Sequence, residues 1–435
     1  MNDHTEIGTL NVCVLGCGVV GTEVVRYLRQ STDELAARCG ARLELTAVVV
    51  RDARTPRDPA VPTRLLRTDA EAAIDEADVV VEVIGGIDPA REYILRALQR
   101  GKSVVTANKA LLAVHGAELY QAADQAGVDL GFEAAVAGAV PVVRGVRESL
   151  AGDTITRILG IVNGTTNYIL DQMTTAGLEF DEALREAQEL GYAEADPSAD
   201  VDGLDAAAKT AILASLAFHS RTSLADVSVT GIRSVTRDDI EAARQSGHVI
   251  KLLAVAEQRQ DDGARGIAVR VHPALLPMEH PMANVYGAYN AVVVEAVAAG
   301  TLMFYGAGAG GAPSASAVLG DLVAVARHRV TGGRGPAESN YARLPLLPPE
   351  QVLTRYQMRL QVRDVPGVLA TISTTVAEYG ISVETVRQVV EDEEQALLVL
   401  ITHRASDEAL AETVRHLADL DEVVQVLSVL RVEGY

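Results

Sequence analysis

A glycine-rich turn near the N-terminus constrains the fold more than any other feature. Residues 10–15 form a short apolar run, Gly16-Cys17-Gly18-Val19-Val20-Gly21 breaks it, and a helix resumes through Val24, Val25 and Leu28. Strand, GxGxxG turn and helix in that order make a βα unit whose glycines have separate jobs. Gly16 permits the tight turn, Gly18 lets backbone approach a pyrophosphate, and Gly21 lets helix and strand pack closely. The helix N-terminus then faces the anion. A plain βα turn is the alternative. Further apolar strands follow at 43–50, 79–84, 103–106 and 128–132, with helices at 89–100 and 109–126. Strands alternating with helices predict a doubly wound parallel α/β sheet, here over 1–145.

The pattern then changes to α+β over 146–330. Strands are predicted at 154–162, 249–256, 268–271 and 291–296, and helices at 166–175, 181–190 and 204–218. A mixed sheet with helices on one face follows, with 305–330 returning to the first domain. The Gly- and Pro-rich stretch 331–350 reads as a linker. Beyond it, 351–435 runs strand, helix, strand, strand, helix, strand.

Charge and cysteine content exclude several classes of function. Lysine and arginine number 38 against 59 acidic residues, a net charge of −21, so nucleic acid and anionic membrane are poor partners. An apolar fraction of 48% with 22% charged residues fits a globular chain. The start MNDHTEIGTL lacks a basic region followed by an apolar run, and no segment reaches an uninterrupted membrane span. Cys13, Cys17 and Cys39 are too few for a disulfide framework, which points to a reducing cytoplasm. Cys13, on an apolar strand, reads as a small buried hydrophobe rather than a metal ligand.

Several clusters carry chemistry. Arg51 ends the second strand, where an arginine can pair with a 2′-phosphate; the adjacent Asp52 keeps ribose recognition open. Ile84-Gly85-Gly86 could let the chain pass close to a nicotinamide, or be an ordinary turn. Thr106-Ala107-Asn108-Lys109 sits at the C-terminal edge of a strand, where ligands of open α/β sheets collect. Asn163-Gly164-Thr165-Thr166-Asn167 offers small hydrogen-bonding groups before a helix, suited to a carboxylate or a plain cap. Glu133-Ala134-Ala135-Val136-Ala137-Gly138 supplies oxygen ligands for a hard cation, or merely one buried glutamate. Gly306-Ala-Gly308-Ala-Gly310-Gly311 could approach the cofactor or act as a hinge. GYAEADPSADVDGLDAAAK, ending on Lys209, crowds Glu194, Asp196, Asp200, Asp202 and Asp205 into one loop. Asp205 and Lys209 share a helix face four residues apart. They are either a solvated loop with an ion pair or a lysine held as a proton donor.

Together, GCGVVG, TANKALL, FEAAVAGAVPV, GIVNGTTNYIL, ELGYAEADPSADVDGLDAAAK and YGAGAGG resemble homoserine dehydrogenase along the length of the chain. The C-terminal unit, with Asp364-Val-Pro-Gly367 between its first strand and helix, looks like a ferredoxin-like ACT domain. The resemblance implies NADP- or NAD-dependent interconversion of L-aspartate 4-semialdehyde and L-homoserine, with Arg51 tilting toward NADP. It implies Lys209 as general acid, Lys109 polarising the same oxygen, Asp205 orienting, and Glu194 with Asp200, Asn163, Gly164 and Thr165 binding substrate. Gly16, Gly18, Val19, Val20, Gly21, Arg51, Ile84, Gly85, Thr106, Lys109 and Gly310 would meet the cofactor. Glu133, Val136, Gly138 and Val140 fall on a sodium-type site, although Ala139-Val140 stands where the family often has Gly-Ile. The ACT unit implies L-threonine as effector and a homodimer or homotetramer. Two rivals are a dehydrogenase of another amino acid and a catalytically silent amino-acid sensor. The 194–209 stretch argues against the first, and the pair Lys109 and Lys209 against the second.

Overall fold

The computed structural model describes residues 8–261, 264–390 and 394–434. Residues 1–7, part of the start read above for a leader, lie outside them. The chain divides into two units. One comprises Met1–Gly164, Asp205–Val227 and Ala288–Leu344; the other Thr165–Leu204, Ser228–Gly287 and Pro345–Tyr435.

The first unit is built on a six-stranded sheet. Its strands are β1 (Gly8–Leu15), β2 (Ala41–Val49), β3 (Leu66–Arg67), β4 (Val79–Glu82), β5 (Ser103–Thr106) and β6 (Leu130–Gly131). They are parallel, in the order β3-β2-β1-β4-β5-β6. Helices cover both faces, so successive residues are buried without alternation: Val12, Cys13, Val14 and Leu15 are all inaccessible. Burial pushes the Cys13 thiol up to about 12, consistent with a packing role. The helix Val19–Gln30 buries Val24, Val25 and Leu28 in the sheet's core. The helix Gly311–Thr331 adds Ala315, Val318, Leu322 and Val325 to the same core. The strand order reverses between β1 and β4, and at such a switch point the crevice beyond the carboxyl ends receives ligands.

The same unit holds an antiparallel set, Ile155–Ile161 against Tyr289–Ala296 against Gly300–Ala307. The last strand is a half-exposed edge strand absent from the sequence reading, because its apolar run at 302–305 is too short to tell strand from helix by period. β4 stops at Glu82 rather than 84, since the Glu82 carboxylate takes the Ile84 and Gly85 N–H groups. Helix Thr32–Cys39 also adds to the expected elements here, and Arg237–Gln245 does so in the second unit.

In the second unit, His248–Asp261 and Ala264–Pro277 form a long antiparallel hairpin. The expected strands 249–256 and 268–271 are its most apolar stretches. Farther on, Leu353–Arg363 lies between Val423–Val432 and Gln395–Thr402, with Val383–Val390 outermost. Helices Val368–Glu378 and Asp407–Ala418 supply Ile372, Val376, Leu410 and Leu417 against Met358, Leu360, Leu398 and Leu400. This is a split βαβ arrangement with a two-helix core, matching the expected succession of elements. Among the described residues no helix is long and apolar enough to cross a membrane.

Candidate active site

The glycine turn after β1 is shaped by close backbone approach. Gly16 has φ +102°, and a Cβ there would lie 2.7 Å from the Val83 carbonyl oxygen. A Cβ on Gly21 would lie 2.3 Å from the Gly16 oxygen, so helix and turn tolerate no side chain at either position. Nothing lies within 4 Å of a Cβ built on Gly18, which faces open space. That space is a cavity of about 600 Å³ lined by Gly16, Gly18, Arg51, Arg57, Ile84 and Gly85, a size and position that fit a dinucleotide. Val19 is exposed at the first turn of the helix and Val20 half-buried against the core.

Arg51 is exposed in this cavity, whereas Asp52 turns to Arg54 at 3.2 Å. Backbone and side-chain hydrogen bonds from Arg54 hold the Asp52 carboxyl below the usual carboxylate range. Arg57 was not singled out from sequence; its Nη1 donates to the Cys17 carbonyl at 3.0 Å, bracing the glycine turn. Only folding brings it there. Gly310 has φ +124° and precedes the helix Gly311–Thr331. Thr106 is fully buried, and its hydroxyl donates to Glu82 at 2.6 Å.

Lys109 opens the helix after β5, capped by Asn108, whose side chain accepts the Leu111 N–H. The helix Leu204–Phe218 carries Asp205 and Lys209 on one buried face. Lys209 Nζ donates to Asp205 Oδ2 at 2.7 Å and to the Val162 carbonyl at 2.7 Å. Asn163 Nδ2 donates to the same Asp205 oxygen at 2.8 Å, and Lys109 Nζ pairs with Oδ1. The Asp205 and Lys209 side chains are 5% and 9% exposed, against 43% for Lys109. One carboxylate therefore holds a buried and an accessible ammonium together. Burial alone would raise the Asp205 pKa, but Lys209 and then Lys109 reverse this and hold the carboxyl well below its usual range. The arrangement can deliver a proton to, and stabilise, an oxygen gaining negative charge.

The other acidic residues of the 191–209 stretch separate. Asp196 accepts the Ser198 N–H at 3.1 Å, and Asp202 pairs with Arg233. These two behave as a hydrogen-bonded surface loop. Glu194 is exposed, and its backbone carbonyl accepts from Gln188 at 3.1 Å; Asp200 is half-buried on the short helix Ser198–Val201. Thr165 donates its hydroxyl to the Tyr192 carbonyl at 2.6 Å. Gly164 is required by packing, since a Cβ there would meet the Ala288 oxygen at 2.7 Å.

Around Glu133 the carboxylate accepts the N–H groups of Val143 and Arg144, both at 2.9 Å. Its own N–H donates to Asp321 at 2.7 Å, and Asp321 pairs with Arg144 at 2.6 Å. Burial, and next Asp321, push the Glu133 carboxyl up to about 7. Val136 and Val140 are inaccessible, and Gly138 has φ +59°. Among the described residues no group of three or more His, Cys, Asp or Glu could hold a metal. Both Glu133 oxygens accept backbone N–H groups and the Val140 carbonyl accepts the Val142 N–H at 2.8 Å; carbonyl and carboxylate oxygens are the donors a hard cation takes.

Comparison with known proteins agrees with this chemistry. The family model for homoserine dehydrogenase matches residues 141–323, that for its NAD-binding domain residues 16–133, and that for the ACT domain residues 356–422. The homoserine dehydrogenase of Mycobacterium tuberculosis is 54% identical over 440 residues, covering 99% of each chain. The crystal structure of one from Thiobacillus denitrificans superposes with a TM-score of 0.92 at 39% identity, covering 98% of each. A hyperthermophilic archaeal homoserine dehydrogenase in complex with NADPH has a TM-score of 0.63 at 26% identity, covering 76% of this chain and 99% of that one. With a dinucleotide cradle, a lysine pair on a buried carboxylate and relatives of this identity over its length, the chain belongs to the homoserine dehydrogenase family of oxidoreductases.

Proposed function

We propose that the chain catalyses reversible reduction of L-aspartate 4-semialdehyde to L-homoserine, with NADPH preferred over NADH. The observation that carries this reading is the buried Asp205 carboxylate held between Lys109 and Lys209. A bound nicotinamide supplies hydride to the aldehyde carbon. Lys209 Nζ, fixed by Asp205 and the Val162 carbonyl, gives its proton to the developing alkoxide oxygen. Lys109 polarises the same oxygen. Asp205 keeps both lysines cationic and aimed, and in the oxidative direction Lys209 takes the proton back. One well-placed acid contributes about 10²–10⁴-fold in rate.

Glu194, Asp200, Asn163, Gly164 and Thr165 bind the polar ends of the amino acid in this reading, which rests on the family's motifs. Gly16, Gly18, Val19, Val20, Gly21, Ile84, Gly85, Thr106, Lys109 and Gly310 serve the dinucleotide. Arg51, exposed in the cavity, takes the 2′-phosphate, and the archaeal relative solved with NADPH supports that choice. Glu133, Val136, Gly138 and Val140 would hold a sodium-type cation that stiffens the turn and takes no part in the proton transfer. The ACT unit reads as the seat of feedback inhibition by L-threonine, placing the enzyme in threonine and methionine biosynthesis. ACT units pair along sheet edges, which supports a homodimer or homotetramer. Three free thiols support a cytoplasmic setting.

The test is Lys209→Ala assayed for homoserine oxidation, with NADPH binding followed by fluorescence. Turnover should vanish while binding persists; near-normal turnover would sink the assignment of Lys209.

A further inference from the structure

Glu82, at the end of β4, is fully inaccessible to solvent. Its Oε1 accepts the backbone N–H groups of Ile84 at 2.7 Å and Gly85 at 3.1 Å. Its Oε2 accepts the Thr106 hydroxyl at 2.6 Å. Thr106 Oγ1 in turn accepts the Asn108 N–H at 3.0 Å, and Asn108 Nδ2 donates to the Gly86 carbonyl at 2.7 Å. The circuit closes on itself. It runs from the carboxylate through the turn 84–86, across to Asn108, and back through Thr106.

Among the described residues no lysine or arginine forms an ion pair with Glu82. A buried carboxylate without a cation is costly unless hydrogen bonds replace its water, and here three donors do so. Two of them lie in the turn at the cavity, and the third, the Thr106 hydroxyl, leads on to Asn108. Ile84 and Gly85 border the cofactor cavity. Asn108 caps the helix whose first residue is Lys109. Gly85 and Gly86 have φ +78° and +75°, a left-handed pair that makes the exposed turn intrinsically loose. The buried carboxylate beneath it supplies the missing constraint.

We propose that Glu82 is a positioning residue, which sets the cofactor-side turn 84–86 and the Lys109 end of the following helix in one fixed register. It touches neither cofactor nor substrate. It acts through Ile84, Gly85 and, by way of Thr106 and Asn108, through Lys109. The inference rests on the functional reading above, because the turn and Lys109 matter only if that cavity takes the dinucleotide.

The test uses the full chain and the variants Glu82→Gln, Thr106→Val and Thr106→Ser. Each is followed by NADPH fluorescence titration, by kcat for homoserine oxidation, and by KM for homoserine. Glu82→Gln keeps the shape but turns an NH₂ group onto donors. It should weaken NADPH binding about tenfold, equivalent to about 1.4 kcal/mol, and lower kcat by a similar factor. KM for homoserine should move less than either. Thr106→Val should show the same pattern, and Thr106→Ser, which keeps the hydroxyl, should recover most of the loss. Glu82→Gln with wild-type NADPH affinity and kcat would overturn the proposal, as would equal losses in Thr106→Ser and Thr106→Val. If Glu82→Gln fails to fold, Asn108→Ser, which keeps a capping oxygen but loses the hydrogen bond to Gly86, decides in its place: wild-type NADPH affinity and kcat there would overturn the proposal. Wild-type protein that neither binds NADPH nor oxidises homoserine would overturn the functional reading itself, a separate outcome.

Discussion

Replacing Asp205 by asparagine tests the centre of the site with the smallest change of shape. The wild-type carboxylate is 5% exposed and faces Lys209 Nζ and Asn163 Nδ2 at 2.7 and 2.8 Å on one oxygen, with Lys109 on the other. The amide removes a charge that balances two ammonium groups, and it must turn an NH₂ toward one of those donors. Breaking one side of a buried ion pair costs about 3–5 kcal/mol. A domain stability of about 5–15 kcal/mol absorbs that at room temperature, with a fall in melting temperature on the order of 10 °C.

The rate should suffer more than the fold. Without its counter-charge the donor lysine loses its proton more readily, so the alkaline limb of kcat for aldehyde reduction should move to lower pH. At the pH optimum kcat should fall by about 10²–10³, within the range of losing a positioned acid. The sign of the stability term is also fixed. Asp205 has a depressed folded pKa, so its contribution is complete above the ordinary carboxylate pKa near about 3.9 and is lost only as pH falls through the folded value. Between pH 6 and 10, therefore, a movement of the profile does not come from the titration of Asp205. The assay is stopped-flow reduction of the semialdehyde across that range, with thermal melts alongside. A variant that melts earlier yet keeps its kcat within twofold, with an unmoved alkaline limb, would refute the reasoning and make Asp205 a purely structural anchor.

The remaining expectations concern the cofactor and the effector. Arg51→Ala should raise KM for NADP about tenfold more than KM for NAD, the scale of one hydrogen-bonded charge pair; equal effects on both would remove Arg51 from 2′-phosphate recognition. Millimolar L-threonine should inhibit the full chain, and deleting residues 351–435 should abolish that inhibition while leaving turnover. A full-length enzyme indifferent to threonine would give the ACT unit another ligand or an assembly role.

Much of the architecture was legible because it is written in short-range periodicity. The glycine turn at 16–21, the apolar strands around it and the alternation of the C-terminal unit all follow from local pattern, and all are present. The strand Gly300–Ala307 was not legible. Its apolar run at 302–305 is too short for its period to decide, so its place is set by pairing with Tyr289–Ala296. Of the site, Lys109 and the Asp205–Lys209 spacing could be singled out locally. Glu82 and Arg57 could not, although a lone acid closing the apolar run of β4 was a signal available at Glu82.

The sequence by itself determined the fold class, the nucleotide cradle and the family, because turns, strands and helix faces depend on residues a few positions apart. Only the tertiary structure decided which charges meet. Lys109 and Asp205 stand nearly a hundred residues apart, and a helix spacing cannot say that one carboxylate serves two lysines. Nor can it say that Asp196 and Asp202, in the same acidic loop, are spent on Ser198 and Arg233. Electrostatics act through space and are governed by burial, and burial is a property of the folded chain.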